Sequence, residues 1–366
     1  MNEDCLKLTA YFGERQRTED QFLADALLDL FGDREIATSI LLRGITGFGL
    51  RHHRLRAAPS PAHRPDAEPV RGPPVAAIAV DARDTIDALL TEVMKIKRRG
   101  LLTLERARLL RGEIGPVMLP EELHEATKLA IYVGRQEQVF RTPAYIAVCD
   151  LLHRRGLAGA TVLLGVDGTA HGHRERAKFF DRNTDVPMMI IAVGTGDRIT
   201  KVLPELGGLL ERPLITLERV RVCKRDGELF ERPHALPGTD EHGLGMWQKL
   251  MVYTSESASH HGQPIHRALV AELRKSTVAR GATALRGVWG FHGNHKPHGD
   301  KFFQLTRHVP VTTIIIDTPE HIAQSFDIVD DITRDHGLVT SEMVPALAVL
   351  DENQRSGGFR LAQHHF

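Results

Sequence analysis

Hydrophobic and polar positions along the chain switch between two periods. Leu6 to Phe12 alternates around Leu8 and Ala10, as a strand with one buried face does. Phe22, Leu23, Ala26, Leu27, Leu30 and Phe31 then fall on one helical face, with a start expected near Thr18 and Gly32 placed as a stop. Ile36 to Leu42 is β-rich and runs into Gly44, and Val75 to Val80 makes a third strand after Pro74. Ile86, Leu89, Leu90, Val93 and Met94 return to helical spacing, and Leu101 to Leu109 supplies a last strand.

The order βαββαβ predicts a ferredoxin-like α+β unit, an antiparallel sheet with both helices on one face. The same landmarks occur three times. Lys7, Lys128 and Lys249 each open a Lys-Leu-x-x-Tyr string and lie 121 residues apart. Ala37-Thr38, Ala160-Thr161 and Ala282-Thr283 follow, then the glycine pairs Gly44/Gly47, Gly165/Gly168 and Gly287/Gly290. Next come His52, His173 and His295, prolines 74, 187 and 310 before apolar runs, and Glu105, Glu218 and Glu342 near the end of each copy. The first helix of the second copy is expected to begin near Thr142 and that of the third near Pro264. The repeats are predicted over 1–111, 127–226 and 247–350, with breaks rich in Gly, Pro and acids at 112–126 and 226–246. The tail over 351–366 has no periodicity and is expected to be mobile. The prolines from Ala57 to Pro74 predict a flexible loop between the second and third strands. Ferredoxin-like units commonly hide their sheet edges by packing together, so three copies in one chain predict an intramolecular pseudo-trimer and a monomeric chain.

Composition narrows the function classes. Of 366 residues, 47 are Lys or Arg and 47 are Asp or Glu, so overall charge does not point to nucleic acid. No apolar run is long enough to span a membrane, and Met1 to Asp4 is not the start of a secretory signal, so a cytoplasmic protein without membrane insertion is expected. Cys5, Cys149 and Cys223 are isolated and form no metal or redox motif.

Candidate chemistry gathers after the glycines. Gly44, Gly47, Phe48 and Gly49 lead to Arg51, His52 and Arg54; Gly165 and Gly168 lead to His173 and Arg174; Gly287, Gly290 and Phe291 lead to His295 and Lys296. Glycines permit close backbone approach, and cations beside exposed amides favour an anion, so these residues are the expected ligand-binding set, with phosphate as the chemistry. No metal site and no cofactor is assigned beyond a nucleotide. The alternative is metal binding through His292, His295 and His298 or His171 and His173, whose spacing suits zinc or copper. Catalysis is not expected: there is no GxSxG elbow and no recurring carboxylate pair by the glycines. Glu105, Glu218 and Glu342 read as register or salt-bridge residues and Tyr11, Tyr132 and Tyr253 as half-buried packing. Lys7, Lys128 and Lys249 read as edge lysines or phosphate contacts.

Taken together, these motifs resemble a bacterial PII-like family of uncharacterised function, normally one such unit per chain. Its pattern looks like Lys-Leu-x-x-Tyr, Gly-Ala-Thr, Gly-x-x-Gly-Phe-Gly and a histidine, then Val-Thr-Leu-Glu. Gly44 to Gly49 matches the glycine motif fully; the middle copy has Thr169-Ala170 in place of Phe-Gly, the third has Phe291-His292, and Ile36 replaces the glycine before Ala37. The resemblance implies a trimeric ferredoxin-like arrangement, nucleotide binding in clefts between units, and a long loop that engages a transporter or enzyme. The departures imply three clefts that differ.

Overall fold

The computed structural model describes residues 2–18, 20–49, 72–123, 126–176, 186–292, 297–299, 309–351 and 354–364. Each repeat is a four-stranded antiparallel sheet backed by two helices. In the first repeat the spatial order is Arg99–Arg111, Asn2–Gly13, Pro74–Ala82, Thr38–Phe48. The second repeat orders Leu214–Arg219, Thr127–Gly134, Pro187–Gly194, Gly159–Leu164 in the same way. The third orders Leu338–Val344, Trp247–Ser255, Pro310–Asp317, Ala282–Arg286. Helices Leu23–Asp33 and Arg83–Ile96, Ala144–Arg154 and Gly196–Leu209, and Ile265–Ser276 and Pro319–Ile332 cover one face of each.

The third strands begin at Pro74, Pro187 and Pro310, where the apolar runs begin. The first helix starts five residues after the expected Thr18. A turn intervenes, with the Thr18 and Leu23 N–H groups donating to the Gln21 and Gln16 carbonyls and Arg17 bridging to Phe22. Gly32 lies inside the helix rather than stopping it; the chain ends the helix by folding the Arg34 N–H back to Leu30. The proline-rich run from Ala57 lies outside the described residues as far as position 71.

Among the described residues four large apolar cores result, beside a small cluster at the tail. Three lie between helices and sheet, one per repeat, as with Leu8, Leu27, Phe31, Ile86 and Leu104 in the first. The fourth lies where the open faces of the three sheets meet, and includes Ile78, Tyr132, Ile191, Met251 and Ile314. Since a strand points alternate side chains to opposite faces, these sheets are buried on both sides, and the alternation read in Leu6–Phe12 is a division between two cores.

The repeats close on one another through two sets of strands running opposite ways round the ring. Each last strand extends onto the next repeat: Arg108–Arg111 pairs with Leu214–Leu217, Arg221–Arg225 with Leu338–Ser341, and Ala346–Asp351 with Arg99–Leu104. Each glycine arm crosses the other way: Gly44–Phe48 pairs with Ala282–Leu285, Asp167–Ala170 with Thr38–Leu41, and Trp289–His292 with Gly159–Val162. This is the intramolecular pseudo-trimer. The tail expected to be mobile instead has a strand, Gln354–Gly358, paired to Leu347–Asp351, and Ala362 is buried against Leu236 and Met246. Its ordering comes from covering the edge that the third repeat's extension would otherwise leave open, a relation among distant segments that carries no periodic signal.

Candidate functional site: the axial charge ring and the inter-repeat clefts

Two recurring sequence features meet on the pseudo-threefold axis. Strand register places Lys7 opposite Glu105, Lys128 opposite Glu218 and Lys249 opposite Glu342. Each lysine also reaches the glutamate of the following repeat. Lys7 bonds Glu218 and lies 3.2 Å from Glu105; Lys128 lies 2.5 Å from Glu342 and 3.1 Å from Glu218; Lys249 bonds Glu105 and lies 2.9 Å from Glu342. The result is a closed ring of alternating charge in which every contact uses the Oε2 atom of the glutamates. No member exposes more than 7% of its surface.

Burial alone would push Lys7 down, but the Glu105 and Glu218 carboxylates reverse this and hold it well above the ordinary lysine range. Lys249 is held up in the same way by Glu105 and Glu342. Burial likewise works to raise Glu105 and Glu218, and the lysines overcome it and hold both below the ordinary carboxylate range. At Lys128 burial prevails over Glu218 and Glu342, so this lysine sits lower than its two counterparts. Ion pairs this deep recover their desolvation cost only when complete, which makes the ring a device for fixing one arrangement of the three repeats. Among the described residues, Glu105, Glu218 and Glu342 are the carboxylates close enough to share a cation, within 4.8 Å, and three ammonium groups already lie between them. The lysines expected at an edge or on a phosphate are therefore axial, and the salt-bridge reading of the glutamates holds. Tyr132 and Tyr253 are buried beside the ring, and Tyr11 is half-buried.

The glycine arms build the interfaces. Gly168 lies so close to the first repeat that a Cβ would stand 2.2 Å from the Ser39 carbonyl oxygen; at Gly290 the same distance separates it from that of Ala160. Arm amides have protein partners: Gly165 and Gly287 donate to Pro187 and Pro310, and Val166 and Val288 to Leu41 and Val162 across the interface. The first arm seats Gly44, Gly47 and Phe48 on the third repeat, and Gly49 follows the end of its strand. Phe48 and Phe291, both in the expected ligand-binding set, are buried against the core of the neighbouring repeat, where an apolar ring after the second glycine plugs the gap beneath the crossing strand. Thr169 replaces that ring in the middle copy and meets a polar neighbour: it donates to the Ile36 carbonyl and bonds the Ser39 hydroxyl. The middle arm thus differs from the other two in what it buries against its neighbour.

Of the expected cations, His173 and Arg174 lie on a strand, His173–Arg176, folded back on Asp167–Ala170. Arg51, His52, Arg54, His295 and Lys296 lie outside the described residues. Between the second and third repeats a narrow cleft is lined by Gly159, Thr161, Tyr253, Thr254, Phe291 and His292. At its side the His292 ring bonds Asp226, whose own N–H donates to the Gly337 carbonyl. His292 thus has a carboxylate partner from the second repeat's extension, a contact no spacing rule shows.

The model of the DUF190 family, described as Uncharacterized ACR, matches this chain three times, over residues 5–109, 126–222 and 247–346. The chain belongs to this PII-like family and carries it as three tandem copies. Among the described residues no helix is long and apolar enough to cross a membrane.

Proposed function

We propose that this chain is a PII-like regulatory protein, not an enzyme, that senses a small anionic ligand, a nucleotide, in the clefts between its repeats. It passes the ligand state to a partner, a transporter or enzyme, through the loops that leave the glycine arms. One observation carries this reading: each arm belongs to one repeat and rests on another, so a ligand held where the arm ends touches two repeats at once. Family membership supports it, since the PII-like arrangement is one of regulation through subunit clefts. The cations that follow the first arm, Arg51 and Arg54, supply charge that the neutral chain as a whole lacks.

The test is thermal unfolding of the full chain with adenine and guanine nucleotides at millimolar concentration. A ligand present at a hundredfold excess over Kd adds about 2.7 kcal/mol of stability. The double substitution Arg51→Ala, Arg54→Ala is expected to remove most of that shift and leave the unliganded unfolding temperature unchanged. If no nucleotide stabilises the wild type, the ligand class is wrong; if the double variant responds like the wild type, the site is wrong.

A further inference from the structure

The charge ring uses only half of each carboxylate. All its contacts fall on Oε2, which leaves the three Oε1 atoms outside the ring's ion pairs. The next layer along the axis is set by register: Thr9 opposite Thr103, Ala130 opposite Thr216 and Met251 opposite Thr340, each two residues from the ring and on the same strand face. In the first repeat Glu105 Oε1 is 3.4 Å from the Thr103 hydroxyl. In the second, Glu218 Oε1 is buried without a hydrogen-bond partner, and the Thr216 and Tyr132 hydroxyls are buried within reach of each other; in the third, Glu342 Oε1 is likewise buried without a partner and the Thr340 hydroxyl lies within reach of Tyr253. Tyr253 differs from Tyr132 because its hydroxyl reaches the Met251 sulfur at 3.4 Å, where the second repeat has only the Ala130 methyl.

An unpartnered buried carboxylate oxygen is costly, and an ordered solvent molecule is one way a folded chain relieves that cost. We propose that the axial layer beside Ala130 is a buried hydration site, in which an ordered water donates to Glu218 Oε1 and is held by the Thr216 and Tyr132 hydroxyls. Three polar partners is the usual complement of a buried water. A carboxylate oxygen can only accept, so the occupant must donate, which excludes an anion. The three lysine ammonium groups of the adjoining ring oppose a further cation. The site is asymmetric, because the first repeat has Thr9 at the register position that Ala130 holds in the second.

A high-resolution crystal structure of the full chain, grown with rubidium as the alkali cation, tests this. The expected result is a solvent peak within hydrogen-bond distance of Glu218 Oε1 and Thr216 Oγ1, with no anomalous signal. A rubidium peak there, or a direct protein hydrogen bond to Glu218 Oε1 with no solvent peak, overturns the proposal. In solution, oxygen-17 relaxation dispersion counts long-lived buried waters. Ala130→Thr, which installs the first repeat's residue, is expected to lower that count by one; an unchanged count overturns the proposal.

Discussion

Lys97 closes the second helix and is wholly buried, yet among the described residues its ammonium group meets no carboxylate. It donates to the Tyr11 carbonyl at 3.1 Å and the Arg99 carbonyl at 2.6 Å and lies 5.1 Å from the centre of the Phe12 ring. Burial pushes it down to about 7 from the ordinary 10.5. Between those two pH values the unfolded chain holds a proton that the folded chain has released, so stability rises with pH across that window. Lys97→Met removes this dependence. The stability of wild type minus variant, from urea unfolding, is expected to increase from pH 7 to pH 10 by roughly 1 kcal/mol per pH unit, the size of one proton's linkage. A difference independent of pH would mean that Lys97 stays charged when buried. Burial acts the opposite way on the thiols: Cys5 and Cys149 are pushed far up and Cys223 to about 12, so all three are expected to resist alkylation until the chain unfolds.

At the scale of elements, the glycine arms and the last-strand extensions do the joining. Gly168→Ala would press a methyl into the Ser39 carbonyl and the Pro187 ring, both within 2.5 Å of it, and neither can move without breaking strand pairing. A loss of about 2–4 kcal/mol is expected, in the range of other severe backbone clashes. Gly208 makes the matched control, since it lies in helix Gly196–Leu209 with open space around it, and Gly208→Ala should gain up to about 1 kcal/mol. Equal effects of the two substitutions on the unfolding midpoint would remove the close-approach argument. Ending the chain at Asp351 should lower Tm and promote self-association on gel filtration, because the Ala346–Asp351 edge loses Gln354–Gly358 and Ala362 leaves its pocket. What the chain's pattern disclosed at this scale was the inside of each repeat. The βαββαβ order, the strand starts at the three prolines and the helix faces follow from local periodicity. The arm crossings left a trace as glycine pairs, but a glycine that receives a neighbouring backbone and one that receives a phosphate look the same in sequence. The tail hairpin and the His292–Asp226 contact left no trace, since each depends on segments far apart in the chain.

For the whole molecule, the axial ring ties the repeats into one folding unit. Lys7, Lys128 and Lys249 each bond glutamates of two repeats, so removing one lysine leaves two buried carboxylates short of charge. Lys128→Met is expected to cost about 3–5 kcal/mol, the usual loss when one partner of a buried pair is removed. Because every repeat also completes its neighbour's sheet, the loss should lower a single unfolding transition rather than split off one repeat. Acid provides the second handle. Glu105 and Glu218 are held below the ordinary 4.5 in the folded chain, so their contribution is full above that value and is lost as pH falls through their folded values. The wild type should therefore lose stability on acidification below about pH 4.5, and Lys128→Met, whose Glu218 has lost the lysine that lowers it most, should lose less over the same range. Calorimetry of both proteins from pH 7 to pH 3 decides the matter. Two resolved transitions in the variant would show that the repeats fold independently. Parallel pH curves for the two proteins would show that the ring contributes no charge-dependent stability.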